Sequence, residues 1–129
     1  MIKRTYPQSR LRRTRAKSYL RDLVAENHLT TNDLIQPIFI ADQSEMKIDI
    51  PSMPGIYRHN LESLYAETEE LLKKGIKSVA IFPAIDLEKK DAQGSHAFND
   101  KNIVCTALRG LAERFPEVIK IADVALDPY

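Results

Sequence analysis

The sequence predicts an α/β fold of parallel strands joined by crossover helices, and three observations predict it. Apolar runs of strand length are centred near Phe39, Ala80 and Ile121, at a period of about forty residues. One amphipathic helical pattern separates each pair, which is the arrangement of successive right-handed βαβ units. The middle run, Lys77 to Ile85, is a near-continuous apolar stretch, typical of a strand buried on both faces of a parallel sheet.

Each element follows from the chain in order. Residues 1–15 (M-I-K-R-T-Y-P-Q-S-R-L-R-R-T-R) are rich in Lys and Arg, hold no acid and have too few apolar positions for a core. They read as a basic amino-terminal arm, either a solvated tail or an extension that docks on another subunit through arginine pairs; the domain proper is 16–129. Tyr19, Leu20, Leu23 and Val24 recur at helical spacing and predict a short amphipathic helix over 16–27. A turn cluster at Thr30 to Asp33 leads into Leu34 to Ile40, the first main strand, in which Pro37 cannot donate to a ladder. Residues 41–59 read as irregular, with M-P-G-I-Y-R at 53–58 a turn signal. Asn60 offers an N-cap, Leu61, Leu64, Leu71 and Leu72 line one helical face, and Gly75 stops that helix. Lys77 to Ile85 is the second main strand, ended by Pro83. Residues 86–100 form a polar loop beyond its carboxyl end, where parallel α/β folds carry their sites. Ile103, Val104, Ala107, Leu108 and Leu111 make a second amphipathic helix, started by Asn99-Asp100 and closed before Pro116. Val118 to Tyr129 is the closing strand.

Composition narrows the function classes. With 43% hydrophobic and 29% charged residues, the 129-residue chain has the make-up of one globular domain. A net charge of +1 creates no field that would draw it to nucleic acid or membrane. No run reaches the roughly 20 apolar residues of a membrane span, and the basic start lacks the apolar core of a signal peptide. A cytoplasmic location is expected. Cys105, the single cysteine, can form neither an internal disulfide nor a Cys-rich zinc site.

Strands this apolar need cover on both faces, and two crossover helices with one short leading helix can hardly supply it. Either another chain completes the sheet or this chain is incomplete. At the same period an eight-stranded barrel needs on the order of 320 residues, so a truncated barrel is expected ahead of a self-sufficient three-stranded domain.

The chemistry concentrates in the closing stretch. Asp123 and Asp127 lie four apart in a strand pattern, which puts both carboxylates on one face with residue 125 between them. The alternative is that Asp127-Pro128 only starts a turn and Asp123 is a buried acid bonded to backbone. Lys77 and Lys120 are poorly placed to form imines and read as solvated. His28, His59 and His96 have no paired spacing and read as surface or capping residues, with only His96 in a candidate site loop. Cys105 reads as a small half-buried helix residue. No glycine pattern for phosphate follows a strand, which disfavours nucleotide cofactors.

Six motifs in order carry a family resemblance: R-L-R-R-T-R at 10–15, D-L-I-Q-P-I-F-I at 33–40, M-P-G-I-Y-R at 53–58, G-I-K-S-V-A-I-F-P at 75–83, K-D-A-Q-G-S-H-A-F-N at 90–99 and D-V-A-L-D-P-Y at 123–129. The chain resembles the amino-terminal portion of porphobilinogen synthases, also called 5-aminolevulinate dehydratases. The resemblance implies a βα (TIM) barrel, of which this chain supplies the arm and the first three main strands with their crossover helices. It implies condensation of two 5-aminolevulinate molecules into porphobilinogen, on the way to haem and other tetrapyrroles, through Schiff bases on two lysines from later strands that are absent here. The isolated chain is then expected to be inactive. Zinc-using members carry cysteines at the positions of Ala125 and Asp127, so a zinc thiolate site is not expected; the chain is similar instead to the aspartate-rich subgroup, associated with magnesium or monovalent cations. Asp123 matches an acid beside the first substrate, implying substrate hydrogen bonding or proton transfer, and Asp127 becomes the candidate metal ligand. The basic arm, by resemblance, wraps a neighbouring subunit in a homo-octamer. His96 stands where many members carry an acid. Two rivals are a fragment of another βα-barrel lyase or aldolase, and a non-enzymatic α/β module that binds a divalent ion or docks on full-length subunits.

Overall fold

The computed structural model describes Thr5, Pro7, Ser9 and residues 12–129, so the predicted arm lies mostly outside the described residues. The elements are α1 (Ser18–Leu23), β1 (Gln36–Ala41), β2 (Lys47–Asp49), β3 (Tyr57–His59), α2 (Leu61–Lys73), β4 (Ser78–Ala84), α3 (Ile103–Arg114) and β5 (Ile119–Ala122). They form one sheet in the order β2-β3-β1-β4-β5, parallel throughout except for β2, which is antiparallel to β3. The three main strands are the predicted ones. β1, β4 and β5 are consecutive in the sheet and α2 and α3 are the crossovers between them, as in successive strands of a βα barrel.

The core lies between the sheet and its two crossover helices. Ile38 and Ile40 of β1 and Val79 and Ile81 of β4 pack with Leu64 and Leu71 of α2 and with Val104, Ala107 and Leu111 of α3. Strand side chains alternate between faces, so the residues between these point the other way. Phe39 pairs with Phe82, and Pro37 with Ala80, which in turn pairs with Ile121. None of them is buried, and among the described residues no helix covers that face.

Local chemistry sets the boundaries. Asn60 Oδ1 accepts the Ser63 N–H at 2.9 Å to start α2. Gly75, at φ +83°, ends it: its N–H donates to the Leu72 carbonyl at 2.9 Å and that of Ile76 to Leu71 at 3.0 Å, the paired closing bonds of a left-handed helix stop. The prolines sit where a missing donor is tolerated. β3 reaches only Phe39 and Ile40, so Pro37 has one neighbouring strand; β5 reaches only Ile81, so Pro83 has one as well.

Four expectations are corrected. Residues 41–59 hold two short strands, and Tyr57 and Arg58 of the supposed turn signal belong to β3. β4 runs one residue past Pro83. The amphipathic helix near the start is α1 alone, and its apolar residues Tyr19, Leu23 and Val24 are exposed. α3 is capped by Asn102, whose Oδ1 accepts the Cys105 N–H at 2.8 Å, rather than by Asn99-Asp100.

Candidate active site at the carboxyl ends of the strands

The carboxyl ends of β1 and β4 open into a cleft of about 160 Å³, bordered by Asp42 after β1, Asp86 after β4, and Lys89, His96 and Lys101 from the following loop. Lys89 ties the two strand ends together: its Nζ lies 2.9 Å from Asp42 Oδ2 and 3.5 Å from Asp86 Oδ2. The hydrogen bond to Asp42 holds the ammonium above its ordinary pKa, so it stays a cation rather than a nucleophile.

The loop from Asp91 to His96 is built by one carboxylate. Asp91 Oδ1 accepts the N–H groups of Gln93 at 3.0 Å and Ser95 at 2.9 Å, and Oδ2 accepts the Ser95 hydroxyl. Those bonds, with the Ser95 hydroxyl first, keep the Asp91 carboxyl below the usual range. Gly94, at φ +61° and buried, brings the loop against Leu126 and Tyr129, and the His96 ring centre lies 6.0 Å from that of Tyr129.

A second, mainly apolar cleft of about 310 Å³ lies between Cys105 and Leu108 of α3 and the segment after β5 that carries Asp123 to Leu126 and Tyr129. Burial first, and the Cys105 thiol second, push the Tyr129 phenol above its ordinary value. Asn102 borders both clefts; its Nδ2 donates to the Ala97 carbonyl at 3.3 Å while its Oδ1 caps α3.

The two predicted aspartates are placed differently from expectation. β5 ends at Ala122, so Asp123 lies just past the strand, and Leu126 to Pro128 form a turn closed by the Tyr129 N–H to the Leu126 carbonyl at 3.0 Å. Both carboxylates are exposed. The strand-parity argument for a shared face therefore fails, and Asp127 belongs to a turn, as the alternative reading had it. The buried-acid reading of Asp123 fails as well. Asp123 lines the second cleft; Asp127 does not.

A cation needs several converging donors. Among the described residues no group of three or more His, Cys, Asp and Glu side chains comes together, and Ala125 offers none, so this chain's described residues do not by themselves fit a complete metal site. The other candidates are resolved plainly. Lys120 is not a simple solvated lysine, because its Nζ donates to the Phe115 carbonyl at the end of α3 at 2.6 Å. Cys105 is half-buried as expected, and His28 is exposed. His59 is not a surface residue: it is 6% exposed, with Nδ1 2.8 Å from the Ser63 hydroxyl. Asp42, Lys89 and Asn102 were missed by sequence reasoning; only their positions just past strands or before a helix could have marked them.

A family model described as delta-aminolevulinic acid dehydratase matches residues 8–129. The chain belongs to the delta-aminolevulinic acid dehydratase family. It is 43% identical over 120 residues to the dehydratase of Chlamydia pneumoniae, covering 93% of this chain and 36% of that protein. It is 44% identical over 121 residues to that of Helicobacter pylori strain J99, covering 93% and 37%. The crystal structure of delta-aminolevulinic acid dehydratase (porphobilinogen synthase) from Toxoplasma gondii ME49, in complex with the reaction product porphobilinogen, superimposes with a TM-score of 0.85 at 41% identity, covering 95% of this chain and 34% of that one. The chain thus spans about a third of the length of the dehydratases it matches. Its fold is the amino-terminal part of that enzyme's barrel. No helix among the described residues is long and apolar enough to cross a membrane.

Proposed function

We propose that this chain supplies three main strands and the two crossover helices between them to a dehydratase that condenses two molecules of 5-aminolevulinate into porphobilinogen, with loss of water, in tetrapyrrole and haem biosynthesis. The observation that carries this reading is the family match over residues 8–129 together with three consecutive parallel strands whose carboxyl ends share one rim. Asp123 is the residue assigned to the substrate: exposed just past β5 and bordering the apolar cleft, its carboxylate is free to accept a hydrogen bond from a substrate amine or to take part in proton transfer. Lys89, a cation paired with Asp42 and Asp86 at the rim, does not act as a nucleophile.

The imine-forming lysines belong, by family resemblance, to later strands in the part of the relatives this chain does not span. The 129-residue polypeptide alone is therefore inactive. A cation, magnesium or monovalent, accompanies the full enzyme, with Asp127 as one carboxylate ligand and no zinc thiolate; the remaining ligands come from outside the described residues. The working enzyme is a cytoplasmic homo-octamer in which the basic arm reaches a neighbouring subunit.

The test is direct. The chain joined covalently to the remaining two thirds of the Chlamydia pneumoniae relative forms porphobilinogen from 5-aminolevulinate, while the 129-residue protein forms none above a blank. Product formation by the isolated chain overturns the inactivity claim, and a folded but inactive joined protein overturns the assignment of activity.

A further inference from the structure

The hairpin of β2 and β3 is the part of the sheet least held by backbone. β1 pairs with β4 at six positions, Gln36 to Ala41, but with β3 at only two, Phe39 with Arg58 and Ile40 with His59. β2 pairs with β3 alone, through Lys47 to Asp49. Segments with so few ladder bonds open at a lower free energy than strands inside a sheet. Side chains clasp the hairpin to α2 instead. His59, 6% exposed, sets its Nδ1 2.8 Å from the hydroxyl of the fully buried Ser63, and Lys47 Nζ lies 3.0 Å from Glu67 Oε2.

That clasp is sensitive to one proton. Lys47 stands directly opposite His59 in the antiparallel pair, and like charges so placed destabilise a sheet. The carboxylate of Glu67 is already engaged by Lys47, so an imidazolium at position 59 would have to share it. The titratable and charged groups facing the ring are Lys47 from β2, Glu67 from α2, and Tyr57 from its own strand, edge-on at 6.3 Å. β1 contributes none: it offers Ile40 as ladder partner, and Gln36, Pro37 and Ile38 to the small cleft that His59 borders. Burial and the Lys47 ammonium therefore disfavour the charged ring, and Glu67 offsets them only in part. An opened hairpin returns the ring to water, where it takes up a proton near 6.5. The open form then binds that proton more tightly than the closed one, and opening gains as the pH falls through 6.5.

The hairpin also holds the rim of the first cleft. Gln43, just past β1, donates from Nε2 to the Arg58 carbonyl at 3.2 Å, and the Asn60 N–H donates to the Met46 carbonyl at 3.1 Å. The loop that carries Asp42, the partner of Lys89, is thereby tied to β3.

We propose that the β2–β3 hairpin is an acid-released clasp: protonation of His59 frees it from α2 and β1 without unfolding the rest of the sheet, and frees with it the loop that places Asp42 at the rim.

Amide hydrogen exchange of the 129-residue chain, corrected for intrinsic rates and followed one pH unit above and one below 6.5, reads the opening. A hairpin this short is not stable by itself, so the Ile50 N–H bonded to the Ile56 carbonyl and the Asn60 N–H bonded to that of Met46 exchange when it lets go. Exchange of both is expected to rise about three- to tenfold at the lower pH, ten being the ratio that an ordinary histidine allows over that span. It also stays at least about tenfold faster than exchange of Ile81 in the middle of the sheet. His59→Gln removes the rise. Lys47→Met, which leaves Glu67 to pair with the imidazolium, cuts it below about twofold. A rise below about twofold in the parent overturns the proposal, as does a rise that survives His59→Gln. Exchange no faster than that of Ile81 overturns it too, because the hairpin then opens only with the whole fold. Where His59→Gln does not fold, Lys47→Met decides, and a rise as large as the parent's overturns the proposal.

Discussion

Replacing Asn102 by Ala tests the framework on which both clefts depend. Asn102 is 4% exposed; its Oδ1 accepts one of the free N–H groups in the first turn of α3, that of Cys105, and its Nδ2 donates to the Ala97 carbonyl across the loop. Loss of an Asn cap costs about 1 kcal/mol, and up to about 2. Stranding the Ala97 acceptor adds about 0.5–1.5 kcal/mol, the net worth of an ordinary hydrogen bond. Asn102→Ala is expected to destabilise the chain by about 1.5–3.5 kcal/mol, roughly ten- to a few hundredfold in the folding equilibrium. Asn102→Asp keeps the acceptor and gains about 0.3–1 kcal/mol from an anion at a helix amino terminus while losing the donor, so its cost stays under about 1 kcal/mol. Equilibrium urea unfolding followed by circular dichroism measures both, with unchanged m-values as the check that the same transition is seen. An Ala variant within about 0.5 kcal/mol of the parent, or an Asp variant as costly as Ala, would refute the reasoning.

Three further outcomes follow from other parts of the molecule. Burial first, and Lys47 second, hold the His59 pKa below 6.5, so its contribution to stability is full above the unfolded value and is lost as the pH falls through 6.5 towards the lowered folded value; His59→Gln flattens that loss in urea midpoints taken between neutral and mildly acidic pH, and an unchanged slope counts against it. Gly75→Ala forces a side chain into a left-handed backbone at a cost of about 1–2 kcal/mol, with its Cβ only 3.1 Å from Thr31 Oγ1, whereas Gly55→Ala at φ +81° meets nothing within 4 Å; thermal unfolding should rank Gly75→Ala as the costlier of the two. Asp123→Asn in the covalently joined dehydratase is expected to lower kcat by about 10²–10⁴-fold with unchanged unfolding, the range for losing a group that transfers a proton, and a drop below tenfold removes Asp123 from the chemistry.

What could be read before any fold was in hand was what local pattern encodes. The caps and stops of α2 are written in Asn60 and Gly75, whose chemistry acts within four residues of itself. The three main strands are legible because their apolar runs recur with a helix between each pair. The six motifs carried the family, and the family match bears that out. β2 and β3, at three residues each, are too short for any periodicity to show; β3 exists because β1 offers Phe39 and Ile40 as partners, and β2 because β3 in turn pairs with it.

The sequence by itself therefore determined the order of the three main strands and their two crossover helices, the cap and stop of α2, and the family. Tertiary structure alone decided where β5 stops, since a strand lasts only while a neighbour pairs with it and β4 pairs no further than Ile81 with Ala122. That one limit moved Asp127 from a strand into a turn and left Asp123 exposed beside the second cleft. It also took the folded chain to bring Lys89 to Asp42 across 47 residues, and to decide which sheet face the helices cover, because contacts between distant residues are properties of packing that no local pattern carries.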